Sequence, residues 1–485
     1  MVYSAIFPGR QQRRSPAFVL LVALPVLLSL SLVSYLCLYQ LPSMAGSSPD
    51  QATTQQQAAM EKHVGLTIVG AGLAGLTASL EAANLDPSLK ILLVEKEKKV
   101  GGNSAKASSG INAALDAADE PLFTQDTLKS GGGLAVEKIV DTFIPKTPDA
   151  KEFLEKYNVD LSVLSQLGGH SAKRTHRNKS GPNIGFAIIS TLQKEIVTRD
   201  NIEILTGAAA KKLLLADETQ TPPTVTGVEV KLADGQTLSI YTSHKMLKRF
   251  SPGMETYPTT NGVWAQGEGV LMSEAVGVDL TLMDKVQLHP TGFINPKDRE
   301  ASTRFLAPEA IRGSGAVLLN KNGKRFVDEL TTRDKASDAI LAQLGQEAYM
   351  LLFEDGAKAM ASELPFYKHM GIVTMTNSEL NAYADIASGE KEDPFDKKTF
   401  PYPIQRIPSI DTPMQIVAME VAPTVHYTMG GVKITENTEI VPGLFAAGEV
   451  SGGLHGANRL GGNSLAECVV FGRVSAQQAI NTLRQ

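Results

Sequence analysis

The chain has 485 residues, of which 43% are hydrophobic and 20% are charged, so it can bury a large core and is neither disordered nor fibrous. Its formal net charge of −5 at pH 7 disfavours a nucleic-acid partner, because neutralising many phosphates takes a strongly basic face. Cys37 and Cys468 are too few for an iron–sulfur cluster or a zinc site, and no C-x-x-C-H is present for haem, so redox chemistry would need an organic cofactor.

An uncharged apolar run at residues 17–39 is about long enough to span a bilayer, and Arg10, Arg13 and Arg14 precede it. The run is long for a signal peptide, Pro25 interrupts it, and no clear A-x-A cleavage site follows. We therefore predict an uncleaved or slowly cleaved secretory signal that attaches the protein to the membrane of the endoplasmic reticulum, with its body in the lumen. The mitochondrion is the alternative compartment.

Residues 1–60 are thus predicted to form a signal or anchor followed by a tether, since residues 41–60 are polar, Gln-rich and without periodicity. The folded body begins near Glu61. VGLTIVG is typical of a buried strand, GAGLAGLTASLEAAN of a Gly-rich turn leading into a helix, and ILLVEK of a second strand that ends in an acid. Further along, residues 134–167 and 187–199 show helical spacing.

Gly70, Gly72 and Gly75 form G-x-G-x-x-G between the first strand and its helix, and Glu95 ends the next strand. The glycines allow a tight turn and close approach of the backbone to a pyrophosphate, which the helix N-terminus faces. The acid is placed to bind ribose hydroxyls. This context predicts a Rossmann-like dinucleotide-binding unit.

Further Gly-rich segments favour FAD over NAD. GGNS at residues 101–104 follows Glu95 closely, and GLFAAGE at residues 443–449 lies near the C-terminus. FAD is long and extended, so it can contact both ends of a chain whose nucleotide-binding domain is discontinuous. GGNSL at residues 461–465 opens an apolar helix whose N-terminus would stabilise negative charge on a reduced flavin.

Seven segments occur in a characteristic order from Glu61 onward: GGNSAKASSGINAA, LGGHSAKRTHR, HPTGF, PEAIRGSGAVLLN, GKRFVDELTTRDKAS, PTVHYTMGG and GLFAAGEVSGGLHGANRLGGNSL. Together they resemble the soluble FAD-dependent fumarate reductases of the fumarate reductase/succinate dehydrogenase flavoprotein superfamily. The resemblance implies an α/β fold: a Rossmann-like FAD-binding domain (residues 61–287 and 423–485) with an inserted α+β capping domain (residues 288–422).

The resemblance also implies that the chain reduces fumarate to succinate with FAD as cofactor. Arg459 and His426 would hold one carboxylate of the substrate and His289 the other. Holding both ends would fix the carbon–carbon double bond over flavin N5 and withdraw charge from it, which prepares it for hydride attack.

A proton source and a proton relay are implied by the same resemblance. Arg333 would protonate the carbon that does not receive the hydride, and Glu309 and Arg312 would relay a replacement proton. No NADH-binding module is visible in the chain, so we expect reduced flavin or another carrier as the electron donor.

Residues at positions that resemble the family's FAD contacts complete the predicted site. They are Gly70, Gly72, Gly75, Glu95, Lys96, Gly102, Asn103, Ser104, Gly110, Ala209, Glu268, Tyr427, Glu449, Ser464 and Leu465. No metal site is predicted.

The sequence departs from the family after SIYTS. The family would continue into a buried strand ending in an A-T-G-G turn near the FAD phosphates, whereas Ser243-His244-Lys245-Met246 leads directly into LKRFSPG. Loss of a central strand leaves its neighbours without ladder partners. This departure predicts weak FAD binding.

Two other functions stay open from the sequence. The same fold could serve an FAD-dependent oxidase or dehydrogenase of another small acid. The chain could also be an inactive flavoprotein that acts only in binding, because the A-T-G-G segment is missing. The intact His289, Glu309, Arg333, His426 and Arg459 favour fumarate reduction.

Overall fold

The computed structural model describes residues 61–232, 243–322, 324–352, 354–360, 364–372 and 417–484. The apolar run predicted to be a signal or anchor and the tether after it lie outside these residues. Among the helices of the described ranges, none combines the length and the apolar character that crossing a membrane requires.

The strands of the described residues are β1 (Leu66–Val69), β2 (Ile91–Glu95), β3 (Ile111–Asn112), β4 (Val163–Ser165), β5 (Thr175–Arg177), β6 (Ile202–Thr206), β7 (Ala208–Leu215), β8 (Val225–Leu232), β9 (Leu280–Thr281), β10 (Val286–Phe293), β11 (Val317–Leu319), β12 (Ala348–Leu352), β13 (Val417–Thr428), β14 (Gly431–Lys433), β15 (Glu439–Val441), β16 (Leu444–Phe445) and β17 (Ser451–Gly452).

The α-helices of the same ranges are α1 (Leu73–Leu85), α2 (Asp119–Ser130), α3 (Glu137–Phe143), α4 (Thr147–Lys156), α5 (Ile184–Ile196), α6 (Ser243–Phe250), α7 (Glu268–Ala275), α8 (Glu309–Gly313), α9 (Arg333–Leu341), α10 (Glu354–Ala359), α11 (Leu364–His369) and α12 (Asn463–Leu483). Short 3₁₀ helices occur at Ser104–Lys106, Ile144–Lys146 and Met254–Thr256.

The predicted β–α–β unit is present as β1, α1 and β2. β1 and β2 are parallel, with Leu66 opposite Ile91 and Val69 opposite Val94, and β6 continues the sheet in parallel on the far side of β2. The buried face of α1 packs against the C-terminal helix α12, so the two ends of the folded body share one core. This arrangement confirms the α/β class.

One edge of β1 is open. Within the described residues β1 pairs only with β2, and its other side borders a large cavity. Val69 at the end of the strand is 48% exposed. After Ser243, where the resemblance described above led us to expect a core strand in the family's pattern, the chain forms the helix α6. Backbone groups on this edge of β1 therefore lack ladder partners in the described part of the chain.

A second, antiparallel sheet in the order β10-β13-β12-β11 has its own hydrophobic core, which includes Phe293, Ile311, Met350 and Val421. It lies largely within the predicted capping domain. The predicted domain boundaries, at residues 288 and 423, fall inside β10 and β13, both of which continue across them.

The helical spacing seen at residues 134–167 holds only for its first part. α3 and α4 occupy it as far as Lys156, but Val163–Ser165 is strand β4, which pairs with β5. The prediction was wrong there because strand pairing with a distant partner overrides local periodicity.

Candidate active site

A cavity with a volume of about 1280 Å³ runs beside β1, the glycine loop and the N-terminus of α12. Every residue predicted to contact FAD lines it: Gly70, Gly72, Gly75, Glu95, Lys96, Gly102, Asn103, Ser104, Gly110, Ala209, Glu268, Tyr427, Glu449, Ser464 and Leu465. Arg333, His426 and Arg459 line the same cavity, which therefore joins the predicted cofactor site to part of the predicted catalytic site.

The glycine loop has the shape that a pyrophosphate requires. Gly70 has a φ of +94°, and a Cβ at Gly75 would lie 2.0 Å from the carbonyl oxygen of Gly70, so both positions demand glycine. A Cβ at Gly70 would meet no atom within 4 Å. Gly72 precedes α1 as its N-cap and makes no side-chain cap, so the helix N-terminus can bind a phosphate group. These residues fit FAD.

Glu95 fastens this loop to the end of β2. Its carboxylate accepts hydrogen bonds from the backbone N–H groups of Ala71 (2.8 Å) and Glu97 (2.9 Å). The neighbouring Lys96 forms an ion pair with Glu268 at the start of α7. The predicted ribose-binding acid thus also positions the backbone of the phosphate loop.

Arg333 and Glu309, the first residues of α9 and α8, form a buried ion pair. Nη2 and Nε of Arg333 lie 2.7 and 2.8 Å from Oε2 of Glu309, and Oε1 accepts a hydrogen bond from Gly168 N (2.7 Å). Burial alone would raise the pKa of Glu309, but the charges of Arg333 and Arg312 outweigh it and lower that pKa to about 2. Glu309 is therefore ionised at neutral pH and orients the guanidinium.

Arg312 lies on the other side of Glu309. Its Nη2 is 3.8 Å from Oε1 of Glu309, and its Nη1 donates to the carbonyl oxygen of Glu329 at 2.5 Å. Burial lowers the pKa of Arg312. The structure thus brings Arg333, Glu309 and Arg312 together in the order that the sequence predicts for a proton relay.

Gln287 on β10 connects these groups, and the sequence-based reasoning missed it. Its Oε1 accepts from Nη1 of Arg333 (3.1 Å), and its Nε2 donates to Oδ1 of Asn458 (2.7 Å) and the carbonyl oxygen of Arg459 (2.8 Å). The side chain is buried. Its position two residues before His289, in the same strand as HPTGF, is the sequence feature from which its role could have been predicted.

Arg459 is held against an aromatic ring. Its guanidinium carbon lies 4.4 Å from the ring centroid of Tyr427, and its Nη1 donates to Oγ of Ser464 at 3.2 Å. Burial lowers the pKa of Arg459 to about 10, so it is a cation at neutral pH. The Tyr427 hydroxyl donates to Glu467 (2.8 Å), whose carboxylate lies 2.9 Å from His455 Nε2; the sequence-based reasoning did not find this pair.

His289 and His426 pack edge to face, with ring centroids 5.1 Å apart. Nδ1 of His426 lies 2.7 Å from Thr260 Oγ1, and Nδ1 of His289 accepts from the Thr291 N–H at 3.2 Å. Burial lowers the pKa of both histidines well below its usual value, so both are neutral. Because Nδ1 of His289 is an acceptor, its proton resides on Nε2, which has no partner among the described residues.

The predicted catalytic residues divide into two groups by exposure. Arg333, His426 and Arg459 line the cavity, whereas His289, Glu309 and Arg312 have no exposed surface and do not. Glu309 and Arg312 are therefore placed to relay protons to Arg333 from behind the cavity wall. His289 can reach a carboxylate only if the wall of the cavity opens.

Known proteins match the chain over most of its length. The family model described as the FAD binding domain matches residues 66–465. The chain is 36% identical to fumarate reductase 1 of Saccharomyces cerevisiae, covering 86% of this chain and 98% of that protein. It is 35% identical to the fumarate reductase of Schizosaccharomyces pombe, covering 86% and 89%.

Solved structures agree. The open conformation of a flavocytochrome c3 fumarate reductase matches with a TM-score of 0.65 and 32% identity, covering 87% of this chain and 79% of that one. An E. coli quinol fumarate reductase matches with a TM-score of 0.65 and 27% identity, covering 87% and 70%.

The fold, the glycine loop and the cavity define an FAD-dependent oxidoreductase. Among such enzymes, the chain belongs to the fumarate reductase family. The family and the cofactor inferred from the sequence are thereby confirmed.

Proposed function

We propose that this protein reduces fumarate to succinate, with Arg333 as the proton donor. The observation that carries the proposal is the placement of Arg333: it lines the cofactor cavity together with Arg459 and His426, and its guanidinium is bound to the ionised Glu309 behind it. A dicarboxylate needs cationic and hydrogen-bonding donors at both ends and an acid near one alkene carbon. Arg459 and His426 supply the donors at one end, and Arg333 supplies the acid.

Unpaired donors mark where the carboxylates bind. Nε of Arg459 and Nε2 of His289 are buried without partners among the described residues, and an unpaired buried donor costs about 1–3 kcal/mol. A carboxylate at Arg459 would relieve that cost within the cavity, and a carboxylate at His289 would do so once the cavity wall opens. His426 is neutral and contributes no positive charge, so Arg459 alone supplies the positive charge at the substrate carboxylate that these two residues would share.

When bound, reduced FAD would supply a hydride for one carbon of the double bond. Arg333 would hold the proton for the other carbon, and Glu309 orients the guanidinium by accepting a hydrogen bond from Nε and pairing with Nη2. An arginine loses a proton only to a very strong base, which a carbanion beside a carboxylate is. Glu309, which contacts both guanidinium groups, would then pass a proton from Arg312 to Arg333.

We further propose that reduced flavin or another carrier donates the electrons. The lack of a visible NADH-binding module in the sequence supports this, and the paucity of cysteines argues against an iron–sulfur relay within the chain.

We also propose that residues 17–39 attach the protein to the membrane of the endoplasmic reticulum, or of the mitochondrion. The support is the length of the apolar run and the arginines before it.

An inactive FAD-binding protein is the second candidate. The observation in its favour is the open edge of β1, which borders the cavity where the phosphate loop begins. An unpaired strand at that place would loosen the glycine loop and weaken cofactor binding.

The experiment is to purify the full chain, load it with FAD and record its visible spectrum. Fumarate is then added anaerobically with dithionite-reduced flavin, and succinate is measured. Yellow protein that forms succinate supports fumarate reduction. Yellow protein that is inert to fumarate points to another acid as substrate or to an inactive flavoprotein, and colourless protein to a loss of cofactor binding.

A further inference from the structure

Trp264 is the single tryptophan of the chain, and it lines the cofactor cavity with an unpaired hydrogen-bond donor. Its indole Nε1 is buried and has no acceptor among the described residues. Buried donors without a partner are rare because each loses its bond to water without replacement. A ligand in the cavity could supply the missing acceptor.

The indole is fixed by its own loop. A Cβ at Gly262 would lie 2.2 Å from Cε2 of the indole, so the ring lies directly over that glycine, and any other residue there would displace it. Gly262 N donates to Oδ1 of Asn103 (3.0 Å), and Nδ2 of Asn103 donates to Oδ1 of Asn261 (3.1 Å). The loop that carries the tryptophan is thus tied to a residue predicted to contact FAD.

The donor lies beside the second glycine cluster. A Cβ at Gly102 would be 3.9 Å from Nε1, and Gly102 has a φ of +50°. Nζ of Lys106 lies 5.7 Å from the centroid of the indole ring and donates to the carbonyl oxygen of Thr260, whose hydroxyl contacts His426. Trp264 therefore lies between the second glycine cluster and the catalytic end of the cavity.

We propose that Trp264 binds the cofactor: its indole N–H donates a hydrogen bond to an acceptor atom of FAD. The inference rests on FAD as the cofactor of this chain and adds a residue that no glycine motif indicates. Gly262 contributes to the same binding site, because the absence of a side chain there leaves room for the indole to lie over the backbone.

The test uses the full chain with an isotope-labelled indole nitrogen. Because the chain has one tryptophan, the N–H correlation spectrum contains one indole signal, which reports Trp264 alone. Saturating FAD should move this signal downfield and slow its exchange with water. A signal that keeps its position and exchange rate while the protein turns yellow would overturn the proposal.

Trp264→Phe provides a second measurement, because it keeps an aromatic ring and removes the N–H. We expect the Kd for FAD to rise about tenfold, with an unchanged melting temperature of the FAD-free protein. Phe186→Leu, which alters an exposed aromatic residue outside the cavity, is the control and should change neither.

An unchanged Kd in Trp264→Phe would contradict the proposal. If that variant does not fold, the spectrum of the wild-type chain decides alone. Wild-type protein that stays colourless in FAD would refute FAD binding as a whole, and its absorbance spectrum distinguishes that failure from the failure of Trp264 as a ligand.

Discussion

Arg333 and Glu309 are joined through a single carboxylate oxygen: Nε of the arginine donates a hydrogen bond to Oε2 at 2.8 Å, and Nη2 lies 2.7 Å from the same oxygen. The third nitrogen, Nη1, is bound to Gln287. With all three nitrogens engaged, the guanidinium has one orientation in the cavity wall, which is what a proton donor in a fixed site requires.

Glu309→Gln should lower the rate of fumarate reduction by about 100-fold or more, because an amide neither relays protons nor holds the arginine with charge. FAD should remain bound, since Glu309 does not line the cavity. Steady-state turnover and the visible spectrum check both parts. Glu300→Gln, at an exposed position, is the matched control, and a Glu309→Gln rate within about threefold of wild type would exclude the relay.

Acid should destabilise the folded protein by protonating the Glu309 carboxylate. Its pKa is about 2 in the folded chain and about 4.3 when unfolded, so its stabilising contribution is complete above the unfolded value and is lost as the pH falls through the folded one. Urea unfolding at several pH values should show this loss in the wild type. Glu309→Gln should be less stable by about 3–5 kcal/mol at neutral pH, and the gap should narrow in acid; a gap independent of pH would contradict this.

Glu449 should give the opposite pH dependence. Burial raises its pKa to about 7 despite the hydrogen bond from Thr428 N (3.0 Å). The folded pKa of Glu449 exceeds the unfolded one, so its stabilising contribution to the FAD-free protein should be complete below about pH 4.3, and about 3 kcal/mol of it should be lost as the pH rises to about 7. Glu449→Gln should abolish that part of the pH profile, and an unaltered profile would refute the assignment.

Restoring a strand beside β1 should improve cofactor binding. Insertion of a β-strand ending in A-T-G-G between Ser243 and Leu247 would give the open edge of β1 a ladder partner. We expect the Kd for FAD to fall about tenfold or more, as several backbone hydrogen bonds form. A Gly/Ser insertion of equal length is the control. Equal effects of the two insertions would show that the open edge does not limit FAD binding.

The sequence predicted the elements whose signals are local. The G-x-G-x-x-G turn placed β1, α1 and β2, and the glycines before Asn463 marked the start of α12, because both depend on backbone geometry within a few residues. The residues matched to the family's FAD contacts also lie together on one cavity.

Contacts between distant residues escaped prediction. Gln287 meets Asn458 across 171 positions, and Tyr427 meets Glu467 across 40; neither polar pair leaves a pattern in the sequence. The burial of His289 and the unpaired indole of Trp264 are likewise properties of packing. Local periodicity could not predict strand β4, because its pairing with β5 depends on a segment further along the chain.

The most direct test is a single turnover. The FAD-loaded full chain is reduced completely under anaerobic conditions, freed of excess reductant and mixed rapidly with fumarate while the flavin absorbance is followed. The account predicts that the flavin reoxidises with one succinate formed per FAD, and that Arg333→Ala binds FAD yet stays reduced. Wild-type flavin that stays reduced in saturating fumarate would contradict it.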